Sequence, residues 1–180
     1  MNKSTRFITV FGIIAVLVGL FVWYKVAPGT YDKLADCLKR QGVIMYGAFW
    51  CPHCQATRHA FGKSAKRLPY VECSTPDRNG QTQVCIDNHI ATYPTWDFPN
   101  PIDLPAAASD AATACSAADA PDNCRNAAAG SWSITTNGHR FLTPSEPKQS
   151  GGVWTLPAHS RASGELPLEF IASLASCPVK

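Results

Sequence analysis

The chain has 180 residues, eight of them cysteine, with 46% apolar and 16% charged residues. That is well short of the roughly 8–10% cysteine of a scaffold held by bridges alone. A disulfide-knotted mini-protein is therefore excluded, and the apolar content supports a hydrophobic core rather than wholesale disorder. Sixteen Lys and Arg against thirteen Asp and Glu give a net charge of +3. This charge is slight and scattered, which excludes the clustered basic surface of a nucleic-acid binder.

Residues 7–24 (FITVFGIIAVLVGLFVWY) run for 18 positions without a charge. At about 1.5 Å per residue they reach roughly 27 Å, close to the thickness of a bilayer core. Lys3 and Arg6 precede the run, Trp23 and Tyr24 close it as interfacial residues do, and Lys25 follows. The positive-inside bias puts the N-terminus in the cytoplasm. A cleaved signal peptide is the alternative. The run exceeds the usual apolar region of about 7–15 residues, and the small-residue site at Ala27 has Lys25 at −3 and Pro28 at +1. Residues 1–27 are read as an uncleaved single-pass signal anchor, and 28–180 as a domain in a periplasm, a lumen or the cell exterior. The first cysteine is Cys37, so all eight fall where disulfides persist.

After a short linker, 28–31, Leu34, Cys37 and Leu38 repeat at i, i+3, i+4 and predict an amphipathic helix over 31–41, ended by Gly42. Val43 to Trp50 (VIMYGAFW) is an apolar run of strand length that meets Cys51-Pro52-His53-Cys54, with Pro52 suited to the first turn of a helix. That helix runs to about Arg67, with Phe61 and Leu68 inward and Gly62 as its weak point. Leu68 to Cys73 reads as a second strand, 81–89 as a short helix, and Tyr93-Pro94-Thr95-Trp96 as an X-Pro step into a third strand.

The composition then changes. Twelve of the 24 residues from Ala106 to Ala129 are alanine, so the stretch 99–130 is expected to be a surface insertion without a core of its own. An alanine-rich helix clipped by Cys115 and Cys124 is the expectation there. Ser131 to Leu142 reads as two strands around Asn137-Gly138, a strong hairpin signal. The segment 143–164 reads as a Pro/Gly/Ser-rich loop before a final helix from about Glu165, with Leu168, Ile171, Ala172 and Ala175 on one face.

A Cys-x-x-Cys that ends a buried strand and opens a helix has a specific use. The helix N-terminus presents unpaired N–H groups and about half a positive charge, which favour a thiolate on the first cysteine. Cys51 is then the exposed, reactive sulfur. Cys54, one turn in, is placed to attack a mixed disulfide from the protein side. His53 adds an imidazole beside them. A zinc half-site would need a second such pair, which the sequence lacks, and a purely structural bridge across so short a loop adds little stability. No metal or other cofactor is expected beyond the redox disulfide itself.

The string Tyr46-Gly47-Ala48-Phe49-Trp50-Cys51-Pro52-His53-Cys54, with Leu68 to Cys73, Cys85 and Tyr93-Pro94-Thr95-Trp96, resembles the thioredoxin-like domain fused to, or paired with, bacterial vitamin K epoxide reductase homologues. The resemblance covers roughly 31–98 well and 131–176 loosely, and it leaves out the N-terminal run and the insertion. It implies an α/β thioredoxin fold, a central mixed sheet flanked by helices. It implies that Pro94 is a cis-proline facing the redox pair where substrate docks, beside Trp50, Tyr93 and Thr95, and that Cys73 and Cys85 form a structural disulfide. It further implies exchange of disulfides with secreted or membrane protein thiols through Cys51, and reoxidation by a separate quinone reductase of the vitamin K type. The His of the CPHC motif is similar to that of disulfide oxidases of the DsbA type. One departure stands out: the strand 43–50 carries no acid, where many thioredoxins place a buried carboxylate.

Cys37 and Cys177 are read either as buried free thiols or as a bridge between the ends of the domain. His59, His89, His139 and His159 show no ligand spacing and read as surface or capping residues. Trp96 and Trp154 read as packing residues before groove residues. The functional expectation is a membrane-anchored thiol–disulfide oxidoreductase working as an oxidase. The alternatives are a reductase or isomerase of the same fold, and a redox-inert domain that binds a partner through the insertion.

Overall fold

In a computed structural model, which describes residues 3–106, 110–115, 124 and 130–180 (the side chains of 3–10 and 111 excepted), the stripe of Leu34, Ala35, Cys37 and Leu38 is buried on one side of helix α2 (Asp32–Arg40). Gly42 turns the chain at φ 73°, a left-handed conformation that costs glycine little. It leads into strand β1 (Ile44–Gly47), whose residues from Met45 on are buried. Helix α3 (Pro52–Phe61) follows, with Pro52 in its first turn and Cys54, Thr57 and Phe61 inward. The expected break at Gly62 is there, at φ 56°, and the chain continues as a 3-10 helix over Gly62–Arg67. Strand β2 (Tyr70–Glu72), helix α4 (Gln83–Asp87) and strand β3 (Thr95–Phe98) complete the first half.

Strand β1 pairs parallel to β2 and antiparallel to β3. The partner of β3 on its other side is β10 (Ser160–Ser163), paired antiparallel with Ala162 opposite Trp96. Helix α5 (Leu168–Leu174) then buries Leu168, Ile171 and Ala172. A parallel β-α-β unit followed by two antiparallel strands and a closing helix fits a thioredoxin-like fold. The packed centre joins Leu34, Met45, Phe61, Trp96, Phe98, Phe141 and Ile171. Cys37 is bonded to Cys177 across 140 residues, which ties α2 to the C-terminal end of the domain.

The stretch between β3 and β10 differs from expectation. Hairpin β6 (Trp132–Thr136) and β7 (His139–Thr143) forms around Asn137 and Gly138, both at positive φ. It extends the sheet outward from β10 and is followed at the edge by β5 (Ala111–Ala114), giving the order β2-β1-β3-β10-β7-β6-β5. The segment 143–164 is not a loop. It supplies β10 itself and two further strands, β8 (Lys148–Ser150) and β9 (Val153–Leu156), which join β4 (Ile102–Pro105) in a separate three-stranded sheet. Nor is the segment from 99 on wholly without core residues, because Ile102 and Leu104 alternate inward and are buried with Trp154 and Leu156. Within the alanine-rich stretch, Ala111–Ala114 is strand β5 at the sheet edge rather than helix, held by backbone pairing to β6. Cys115 is bonded to Cys124; the remaining positions of the expected helix, 107–109, 116–123 and 125–129, lie outside the described residues.

Helix α1 spans Lys3–Val26. Its described side chains begin at Phe11, and over the described residues no helix is long and apolar enough to cross a membrane. From Phe11 to Val26 its large apolar side chains are exposed. At its C-terminal end Lys63 donates to the Tyr24 carbonyl at 2.6 Å and lies over the Tyr24 ring.

Candidate functional site

The turn between β1 and α3 places the CPHC motif at the edge of the buried centre. The Cys51 N–H donates to the Ala48 carbonyl at 3.0 Å, and the Cys51 carbonyl accepts from Gln55 N–H at 3.0 Å. Cys51 is thus the N-cap of α3, in extended conformation, with Pro52 next to it in the first turn. Its side chain makes no capping hydrogen bond to the first turn, whose free N–H groups and partial positive charge lie at this end of the helix. Cys51 and Cys54 are the free cysteines of the chain, since the other six are bonded in pairs.

Cys51 is more enclosed than expected, while Cys54 is the more buried of the two, as the motif implies. Cys51 is only 6% exposed and Cys54 1%, so the outer sulfur is recessed and the inner one sealed. What covers Cys51 is the X-Pro turn: the Tyr93–Pro94 bond is cis, and the Cys51 thiol donates to the Tyr93 carbonyl oxygen at 3.6 Å. Burial pushes the Cys54 thiol up to about 12, because a charge there would be cut off from water.

Around the pair, Trp50 and Tyr93 meet edge to face at 6.3 Å between ring centroids, and Trp50 is 41% exposed. The Trp50 Nε1–H donates to Ser74 Oγ at 2.7 Å. Ser74 follows Cys73, whose bond to Cys85 joins β2 to α4, so this disulfide steadies the wall against which Trp50 lies. Tyr93 is held from behind, its hydroxyl accepting from Gln81 Nε2 at 2.6 Å. The half-exposed Trp50 ring, the Tyr93 ring it meets and the Tyr93 carbonyl are thus the neighbours of Cys51 on this side.

Two expected participants lie elsewhere. His53 is exposed, and its imidazole Nδ1 stands 3.4 Å from Glu165 Oε2. Thr95 is buried, and its hydroxyl donates to the Thr92 carbonyl at 2.7 Å, so it braces the proline turn. Trp96 and Trp154 are buried packing residues. Among the four other histidines, His159 Nδ1 is 3.2 Å from Asp97 Oδ1 and His139 stacks on Phe170.

Over 67 residues the chain is 43% identical to the thiol-disulfide oxidoreductase LTO1 of Arabidopsis thaliana. The matched stretch is 35% of this chain and 18% of that protein. No family model matches the chain. The likeness, together with the three disulfide bonds of the fold, supports a general thiol–disulfide redox role and an oxidoreductase.

Sequence reasoning passed over the surroundings of Cys54. Glu72 accepts from the Phe49 and Ser74 N–H groups on Oε1, at 3.2 and 2.9 Å, and from the Tyr70 hydroxyl on Oε2, at 2.8 Å. Burial, with Glu72 beside it, raises the Tyr70 hydroxyl above the ordinary range for a phenol. The signal was an acid at the end of a three-residue strand, Tyr70-Val71-Glu72.

Proposed function

We propose that the protein is a membrane-anchored thiol–disulfide oxidoreductase that acts on extracytoplasmic protein thiols through Cys51 and Cys54. The observation that carries the reading is the recessed Cys51 sulfur against the carbonyl of Tyr93 in the cis-proline turn, beside the half-exposed Trp50, with Cys54 more deeply buried than Cys51. An extended substrate segment laid along the proline turn brings one sulfur to Cys51 and no other atom of the pair. Substrate thiolate attacks Cys51 of the oxidised pair. The bond to Cys54 breaks, and a mixed disulfide forms. A second substrate thiolate then attacks the substrate sulfur of that bond, releasing the substrate as a disulfide and the protein as a dithiol. Pro52 and Pro94 shape the two turns, and His53 stands at the rim.

The anchor is residues 1–27. The uncharged run 7–24 and the outward apolar side chains of α1 from Phe11 on support it, and the cysteines then lie outside the cytoplasm. Reoxidation falls to a separate membrane quinone reductase of the vitamin K epoxide reductase type. The direction is oxidation. A reduction potential well above that of thioredoxin, about −270 mV, measured by equilibration with glutathione, is the expected result. A potential at or below that value would assign the protein instead to reduction or isomerisation.

A further inference from the structure

The exchange reaction leaves one polar cluster without a task. Cys54 must lose a proton to attack a mixed disulfide on Cys51 and regain it when it leaves, yet its side chain has almost no access to water. A buried acid of this kind needs a neighbouring group to carry the proton. Tyr70 and Glu72 of β2 stand beside it. A β-carbon on Gly47 would lie 2.8 Å from Cys54 Sγ, 2.8 Å from Tyr70 Cε2 and 3.4 Å from the Tyr70 hydroxyl oxygen. Sulfur and phenol therefore both pack against Gly47, whose missing side chain makes room for the two of them. The Tyr70 hydroxyl already donates to Glu72 Oε2 at 2.8 Å, so its oxygen has lone pairs free to receive a proton. Glu72 is half-buried and stands in register with Gly47.

The other charged or titratable groups are few. From α3 come Cys51, and Arg58, whose guanidinium lies over the Tyr70 ring at 5.0 Å from its centroid; β1 contributes only Gly47 here. We infer that Tyr70 and Glu72 form the proton path of Cys54, supplying from β2 the carboxylate that β1 lacks. This rests on the thiol–disulfide reading above and adds to it the groups that handle the proton. In the step that closes the pair, the Cys54 S–H proton passes to the Tyr70 oxygen while the Tyr70 proton passes to Glu72 Oε2. The Cys54 thiolate attacks Cys51 Sγ. The bond between Cys51 and the bound thiol breaks, the Cys51–Cys54 bond forms, and the thiol departs as thiolate. Glu72, now a carboxylic acid, returns its proton to water or to the departing thiolate. Opening of the pair runs the same path backwards.

The test is a two-phase reaction of the reduced full-length protein, in detergent, with an aromatic disulfide whose released thiolate absorbs light. The first phase reports attack by Cys51, the second attack by Cys54. Tyr70→Phe and Glu72→Gln should each slow the second phase at pH 7 by at least about tenfold and leave the first unchanged. The deficit should shrink as pH rises and hydroxide takes the proton directly, and Glu72→Asp should recover part of the rate. Glu72→Gln keeps an amide oxygen for the Phe49 and Ser74 N–H groups. Tyr70→Phe leaves those bonds untouched, so a fold defect in one variant does not mask the result in the other. Second phases equal to wild type from pH 6 to 9 in Tyr70→Phe and in the folded Glu72 variant would overturn the path, leaving Glu72 as a brace for the motif turn. A wild-type protein that releases no thiolate at all would overturn the thiol–disulfide reading and the path together.

Discussion

Gly47 lies against the sulfur of Cys54 so closely that a β-carbon in place of its hydrogen would stand 2.8 Å from it. The parallel strand β2 closes the other side, since the same added atom would meet the Tyr70 ring at 2.8 Å. Neither neighbour is the free end of a flexible chain. Gly47→Ala should therefore cost about 1–3 kcal/mol of stability through overpacking, read by chemical unfolding, and should displace Cys54 enough to slow disulfide closure. A variant as stable and as fast as wild type would show that the sulfur has more room than the geometry allows.

The Cys54 thiol makes the reduced state sensitive to alkaline pH. Its pKa is about 12 when folded against an unfolded value near 8.5, so the folded protein favours the protonated form. The corresponding stability is complete below about pH 8.5 and is lost as pH climbs toward 12, at up to about 1.4 kcal/mol per unit. Unfolding of the reduced wild type and of reduced Cys54→Ala, compared from pH 7 to 10.5, should show the wild type losing stability faster above pH 8.5. Parallel curves would mean that the thiol is not shielded from water.

The seam between β3 and β10 holds a charged pair. Asp97 is buried and accepts from Arg161 Nε at 3.0 Å, with His159 Nδ1 3.2 Å away. Arg161 also donates to the Asn88 carbonyl at 2.6 Å, which joins the sheet to the chain end of α4. Asp97→Ala removes the acceptor and leaves Arg161 partly buried. The loss should be about 2 kcal/mol, between the values for exposed and for fully buried pairs because Arg161 retains some solvent. Thermal or chemical unfolding reads it directly. A neutral effect would mean that the two strands are held by backbone pairing alone.

The first half of the fold was legible because each boundary carries its own chemistry. Gly42 and Gly62 sit at positive φ and Pro52 occupies the first turn of α3; beyond that half, Asn137-Gly138 marks the hairpin turn in the same way. Strand β10 was not legible. Its sequence, Ser160-Arg161-Ala162-Ser163, has almost no apolar content, and it lies inside the sheet because Ala162 pairs with Trp96 and Arg161 finds Asp97 on the neighbouring strand. Strand β8 is exposed throughout, and β5 is largely alanine, so neither carries a periodic signal. At the site, the spacing of Cys51 and Cys54 was readable within one segment. The pairing of His53 with Glu165 and the gathering of Tyr70, Glu72 and Cys54 around Gly47 were not, since they depend on how separate elements are packed together.

In the proposed reaction Cys51 forms covalent bonds with substrate thiols and Cys54 governs their release. Mass spectrometry of Cys54→Ala, expressed at full length in its native compartment, reads both roles at once. Reductant-sensitive mixed disulfides joined at Cys51 are expected, absent from the Cys51→Ala, Cys54→Ala double variant, and much scarcer in wild type where the bond to Cys54 re-forms and expels the substrate. A Cys54→Ala protein that carries no adducts, or carries them equally after Cys51 is replaced, would contradict these roles.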